Sequence, residues 1–86
     1  MARYRLFIKP SAVKEIEDLP KKAVRRRIIE RIAALATDPR PHGCEKLSGQ
    51  ERYRIRQGRY RFIYSVDDRS REIVVFKIGH RKDVYP

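Results

Sequence analysis

Between Arg52 and Tyr64 the chain reads Arg-Tyr-Arg-Ile-Arg-Gln-Gly-Arg-Tyr-Arg-Phe-Ile-Tyr, charged residues alternating with β-branched or aromatic ones around one glycine. A period of two belongs to extended backbone, so the stretch predicts a β-hairpin with one apolar and one charged side. With Gln57 and Gly58 as the loop, Arg56 lies opposite Arg59, Ile55 opposite Tyr60, Arg54 opposite Arg61 and Tyr53 opposite Phe62. Tyr53, Ile55, Tyr60 and Phe62 then share one side, and Arg54, Arg56, Arg59 and Arg61 the other. Like charges directly opposed are unfavourable by about 0.2–1 kcal/mol per pair. A fold has no reason of its own to choose them, whereas a polyanionic partner supplies one.

The rest of the chain shares the charge. Lys+Arg number 22 against 11 Asp+Glu, a formal net charge of +11. Residues 1–50 hold 12 basic and 6 acidic side chains and residues 51–86 hold 10 and 5, so no basic tail can be set apart from the body. This balance points to a nucleic acid or an acidic protein as partner. Cys44 is the single cysteine, which excludes an internal disulfide and a four-thiolate metal site and suits a reducing compartment. No apolar run approaches the roughly 20 residues of a membrane span, and the first residues lack the apolar core of a signal peptide. The expectation is a soluble, cytoplasmic protein with no membrane association.

Taken in order, Arg3 to Ile8 alternates basic and apolar residues up to Pro10, which predicts a short strand. Pro10-Ser11 opens a helix with Val13, Ile16 and Leu19 at helical spacing, and Pro20 stops it. A second helix runs from about Lys21 to Thr37, with an apolar stripe of Val24, Ile28, Ile32 and Leu35. Arg25, Arg26, Arg27 and Arg31 then form its solvated side. Asp38-Pro39-Arg40-Pro41-His42-Gly43 is dense in turn formers and separates the helical from the strand half. After the hairpin and the polar turn Asp67–Arg71, the run Glu72–Ile78 is apolar on both sides, which suits a central strand. Residues 1–86 therefore predict one small α+β domain of order β-α-α-β-β-β. Its antiparallel sheet of about four strands carries a helical hairpin on one face.

In this order, several short pieces resemble the RelE/ParE toxin superfamily of type II toxin–antitoxin systems. They are Asp38-Pro39-Arg40, Lys46-Leu47-Ser48-Gly49, Tyr53-Arg54-Ile55-Arg56, Gly58–Tyr64 and Ile78-Gly79-His80-Arg81-Lys82-Asp83-Val84-Tyr85, and the last leans toward the RelE-like branch. The resemblance implies a ribosome-dependent mRNA endonuclease that needs no metal or cofactor. It cuts the A-site codon when the ribose 2′-OH attacks the adjacent phosphate and the 5′-oxygen leaves. Such a step needs a base, cations for the developing charge and an acid. By residue-wise carry-over the family positions match Arg54, Arg56, Arg61, Arg81 and Tyr85, and His80 joins this catalytic set on chemical grounds. Arg61 and Arg81 would stabilise the phosphate, and Tyr85 would stack on or orient the substrate. Arg52, Arg59 and Lys82 would bind substrate.

The positions matching Arg54 and Arg56 are lysines in the best-known family pattern, and a guanidinium stays protonated where an amine can lose its proton. Histidine ordinarily titrates near 6.5, so His80 becomes the candidate base. The nearest glutamates before the arginine strand are Glu45 and Glu51. The resemblance further implies the ribosome and mRNA as targets, and a hetero-oligomeric complex with an acidic antitoxin that folds as it binds. The alternatives are a ParE-like toxin that inhibits DNA gyrase without enzymatic activity, and a catalytically impaired homologue that only binds antitoxin or nucleic acid.

Overall fold

The computed structural model of the protein describes residues 3–47, 49 and 51–80. Its elements are β1 (Arg5–Ile8), α1 (Pro10–Glu17), α2 (Lys22–Ala34), β2 (Glu45–Lys46), β3 (Arg52–Gln57), β4 (Tyr60–Asp67) and β5 (Glu72–His80). They form a five-stranded sheet of order β1-β5-β4-β3-β2 with the two helices on one face. The α+β class and the helical hairpin are as expected. Two details differ. A two-residue strand, β2, lengthens the sheet at the β3 edge. The β1–β5 pair is also parallel, making the sheet mixed, because two helices intervene before the meander begins and bring the chain back to run alongside β1.

Pro10 begins α1, where its fixed φ and missing N–H do no harm. The side of α1 that meets the sheet is Ala12, Ile16 and, just past the helix, Leu19, all buried; Val13 is exposed, contrary to the predicted stripe. In α2 the stripe holds: Ile28 and Ile32 are buried, Leu35 follows them into the core, and Val24 packs at its margin. The helix ends at Ala34, earlier than predicted, because Leu35 to Thr37 turn toward carbonyls only three residues back. Two of the helix arginines are not simply solvated. Arg25 donates to the Leu19 carbonyl at 2.7 Å and Arg31 to Gln57 Oε1 at 2.8 Å.

The sheet contributes Tyr53, Ile55, Phe62, Tyr64, Val66, Ile73, Val75 and Ile78 to the same core. Strand β5 lies between β1 and β4, the central place its apolar run suggested. Pairing with β1 stops at Val75, and among the described residues no strand covers the far half of that β5 edge. There Glu15 of α1 accepts the Ile78 N–H at 2.8 Å and meets Lys77 Nζ at 3.4 Å, so a helix side chain closes the exposed edge. No helix among the described residues is long and apolar enough to cross a membrane.

Candidate functional site

The hairpin register departs from the predicted one in an instructive way. Gln57 pairs with Tyr60, Arg56 with Arg61, Ile55 with Phe62 and Arg54 with Ile63, so the loop is Gly58-Arg59. Gly58 has φ +62°, as glycine does in the first place of a tight hairpin loop, and this draws the turn one residue onward. Each residue's partner moves by two positions, so both faces keep their predicted members along the strands. One like-charge pair survives, Arg56 opposite Arg61, in place of the two predicted.

Arg52, Arg54, Arg56 and Arg61 therefore project from the face without helices. Arg54 is half-buried: its Nε and terminal nitrogen lie 3.2 and 3.1 Å from Glu45 Oε1, across the β2–β3 pair that sets these residues opposite each other. Arg56 is exposed, and among the described residues it has no ion-pair partner. Arg61 is half-buried and lies between its register partners Arg56 on β3 and Gly79 on β5. Ile63 and Leu47 form a small apolar cluster on this face beneath the cations.

Two predicted site residues lie apart from this face. Arg59 occupies the loop and lines a groove of about 600 Å³ on the helix side, together with Lys21, Arg27, Tyr60 and His80. His80 pairs with Tyr60, and their rings meet edge to face with centroids 5.7 Å apart. Tyr60 packs against the helix-side core, so His80 turns toward α2 and away from Arg54, Arg56 and Arg61. Sequence adjacency to Arg81 carried no information about which side of the sheet the imidazole takes. Arg81, Lys82 and Tyr85 lie outside the described residues.

Behind the site, Arg40 is held in a way no sequence signal announced. It meets Asp68 with two nitrogens at 2.8 and 3.2 Å, donates Nε to the Tyr53 hydroxyl at 2.9 Å and stands over the Tyr53 ring at 5.2 Å. Tyr4 donates to the same carboxylate at 2.7 Å. These bonds, Arg40's first and Tyr4's second, hold the Asp68 carboxyl below its usual range, and the Tyr4 hydroxyl is raised in return. Tyr64 donates to the Pro39 carbonyl at 2.8 Å, and burial pushes its hydroxyl well above the ordinary tyrosine range. The corner fixes the 38–44 loop, and with it β2 and Glu45, against the hairpin.

The family described as the ParE toxin of type II toxin–antitoxin systems, parDE, matches residues 6–85. No curated protein matches the sequence. Among solved structures, the fold is similar to that in the archaeal RelE–RelB complex from Pyrococcus horikoshii OT3, with a TM-score of 0.83 and 35% identity over 95% of this chain and 99% of that one. It is also similar to a chain of the intact E. coli RelBE toxin–antitoxin complex, at TM-score 0.77 and 28% identity, covering 90% and 95%. A third likeness is to the RelB–RelE complex from Methanococcus jannaschii, at TM-score 0.73 and 25% identity, covering 92% and 94%.

Proposed function

The chain belongs to the RelE/ParE superfamily of type II toxin–antitoxin toxins, and on that footing we propose that it is a ribosome-dependent endoribonuclease. In this reading it cuts the A-site codon of mRNA by 2′-OH attack on the adjacent phosphate. The observation that carries the proposal is the open sheet face, where Arg56 stands directly opposite Arg61 with Arg54 beside them. Like charges so opposed are unfavourable, and a polyanion bound across them offsets the repulsion. In this reading Arg61, half-buried on the open face, meets the negative charge that develops on the non-bridging phosphate oxygens, and Arg56 holds the neighbouring phosphate. Arg81 and Tyr85 complete the proposed set as second phosphate clamp and stacking group, and Arg52 and Lys82 extend it. Arg59, displaced to the loop, binds substrate only from the rim.

The acidic partner follows from the same surface. The P. horikoshii, E. coli and M. jannaschii relatives were each solved with a RelB antitoxin. An antitoxin of this kind, covering the basic body, is the partner proposed for this chain.

One observation favours a second reading. The attacking hydroxyl must lose a proton; arginines do not accept one, and His80 faces the helix side. A ParE-like toxin that blocks DNA gyrase without cutting needs no base and would use the same cations. Translating ribosomes programmed with a defined mRNA separate the two. Cuts within the A-site codon are expected, and Arg61→Ala should lower single-turnover cleavage by about 10²–10³. His80→Ala tests the base assignment: cleavage equal to wild type from pH 5 to 8 would remove His80 from the mechanism. Intact mRNA together with inhibited gyrase would overturn the nuclease reading.

A further inference from the structure

At the end of the open face away from the hairpin loop lies a second cluster. Phe7 of β1 and Val74 of β5 are register partners, and Phe76 follows two positions on. Phe7 is 47% exposed, unusual for a phenylalanine in a strand. The Arg52 guanidinium stands 4.2 Å from the Phe76 ring centroid, and Lys9 Nζ stands 4.5 Å from it. Among the described residues neither cation has an ion pair, because Glu72, the outward carboxylate of β5, is taken by Arg5 at 2.7 Å. Two cations thus hold one ring without being neutralised.

One exposed ring, Phe7, and one half-buried ring, Phe76, flanked by cations without ion pairs form the combination that holds single-stranded nucleic acid, with bases stacked on the flat groups and phosphates drawn to the charges. A guanidinium laid over a ring offers a base its own outer plane. Arg52 and Arg54 sit two positions apart on one side of β3, about 7 Å along the strand, so the cluster continues the arginine row. We infer that Phe7, Lys9, Arg52 and Phe76 form a second RNA subsite, which stacks an unpaired base flanking the scissile nucleotide and holds its phosphate. This rests on RNA being the target, as proposed above. That continuity, with no carboxylate among the described residues paired to Arg52 or Lys9, favours RNA over a docked protein.

Fluorescence anisotropy of the full chain with 5′-labelled hexaadenylate tests it. Phe76→Leu should weaken binding about tenfold, the size of one base–aromatic stack. Among six oligomers each carrying one abasic nucleotide, one should bind wild type as weakly as the intact oligomer binds the variant, and Phe76→Leu should weaken it no further. Equal affinity of wild type and variant, or a loss of the same size on every abasic oligomer, would overturn the subsite. Should Phe76→Leu fail to fold, Phe7→Ser at its exposed position gives the same readings. Weakened antitoxin binding with unchanged RNA affinity would reassign the patch to a protein partner. Ribosomal cleavage is scored separately: hexaadenylate bound through the patch but mRNA left uncut sinks the nuclease reading alone, while cleavage with affinity indifferent to both phenylalanines sinks the subsite alone.

Discussion

Arg40 and Arg56 carry the same guanidinium, and the fold treats them in opposite ways. Arg40 stands in a corner where a bidentate carboxylate, a tyrosine hydroxyl and a ring face answer its charge and its donors. Arg56 stands on an open strand opposite another arginine. The corner makes a surface loop part of the scaffold; the open face is the surface proposed to meet RNA. Within one small domain, Arg40 is thus part of the architecture, while Arg56 has no ion pair among the described residues.

That contrast can be broken at several points. The largest expected effect lies beneath both regions: Phe62→Ala empties the centre of the core and should cost about 3–5 kcal/mol in chemical denaturation, destabilising the corner and the open face together. Arg61→Ala, by comparison, should abolish most cleavage while leaving the denaturation midpoint nearly where it was. At the corner, Tyr64→Phe removes the bond to Pro39 and keeps the ring, for a loss of about 1 kcal/mol with RNA affinity unchanged. On the open face the sign reverses. Arg56→Gln relieves the pair with Arg61 and should raise stability by about 0.2–1 kcal/mol while lowering RNA affinity. A loss of stability there would make Arg56 a structural residue and erase the contrast.

The smallest effect is titratable. The folded-state carboxyl of Asp68 is depressed by Arg40 and Tyr4, so its stabilisation is present above the unfolded value of about 3.9 and fades as pH falls through the folded one. The stability gap between wild type and Asp68→Asn should therefore close below about pH 4. A gap that persists in acid would mean that Asp68 acts through packing and not through charge.

The strands were legible because alternation survives an error of register. Predicting the loop one residue too early left Tyr53, Ile55 and Phe62 on the buried side and Arg54 and Arg56 on the open one. The turn itself was misplaced because Gly58 fits two loop positions and the letters do not say which. Helix faces were less secure: Val13 and Ala12 are neighbours, and the smaller residue took the core position. The side that His80 takes was not legible for a related reason. The extra residue between the pairs Ile63–Lys77 and Tyr64–Val75 shifts the alternation late in β5, so its side cannot be counted from the apolar run. The Arg40–Asp68 corner joins residues 28 apart in sequence, and nothing local marks them as partners. Phe7 and Phe76 were in plain view as apolar positions, and only the pairing of β1 with β5 brings them together on the outer side.

That pairing also sets an order of events during synthesis. Strand β1 is made well before its partner β5, and the register joins Arg5 to Glu72. Until β5 is available, β1 has no neighbour and β4 has one bare edge, and closing so long a loop makes the step slow. A nascent chain stopped before Glu72 holds two helices and a hairpin without the strand that unites them. The toxin domain is thus assembled only once nearly all of it has cleared the exit of the machine that it is proposed to attack.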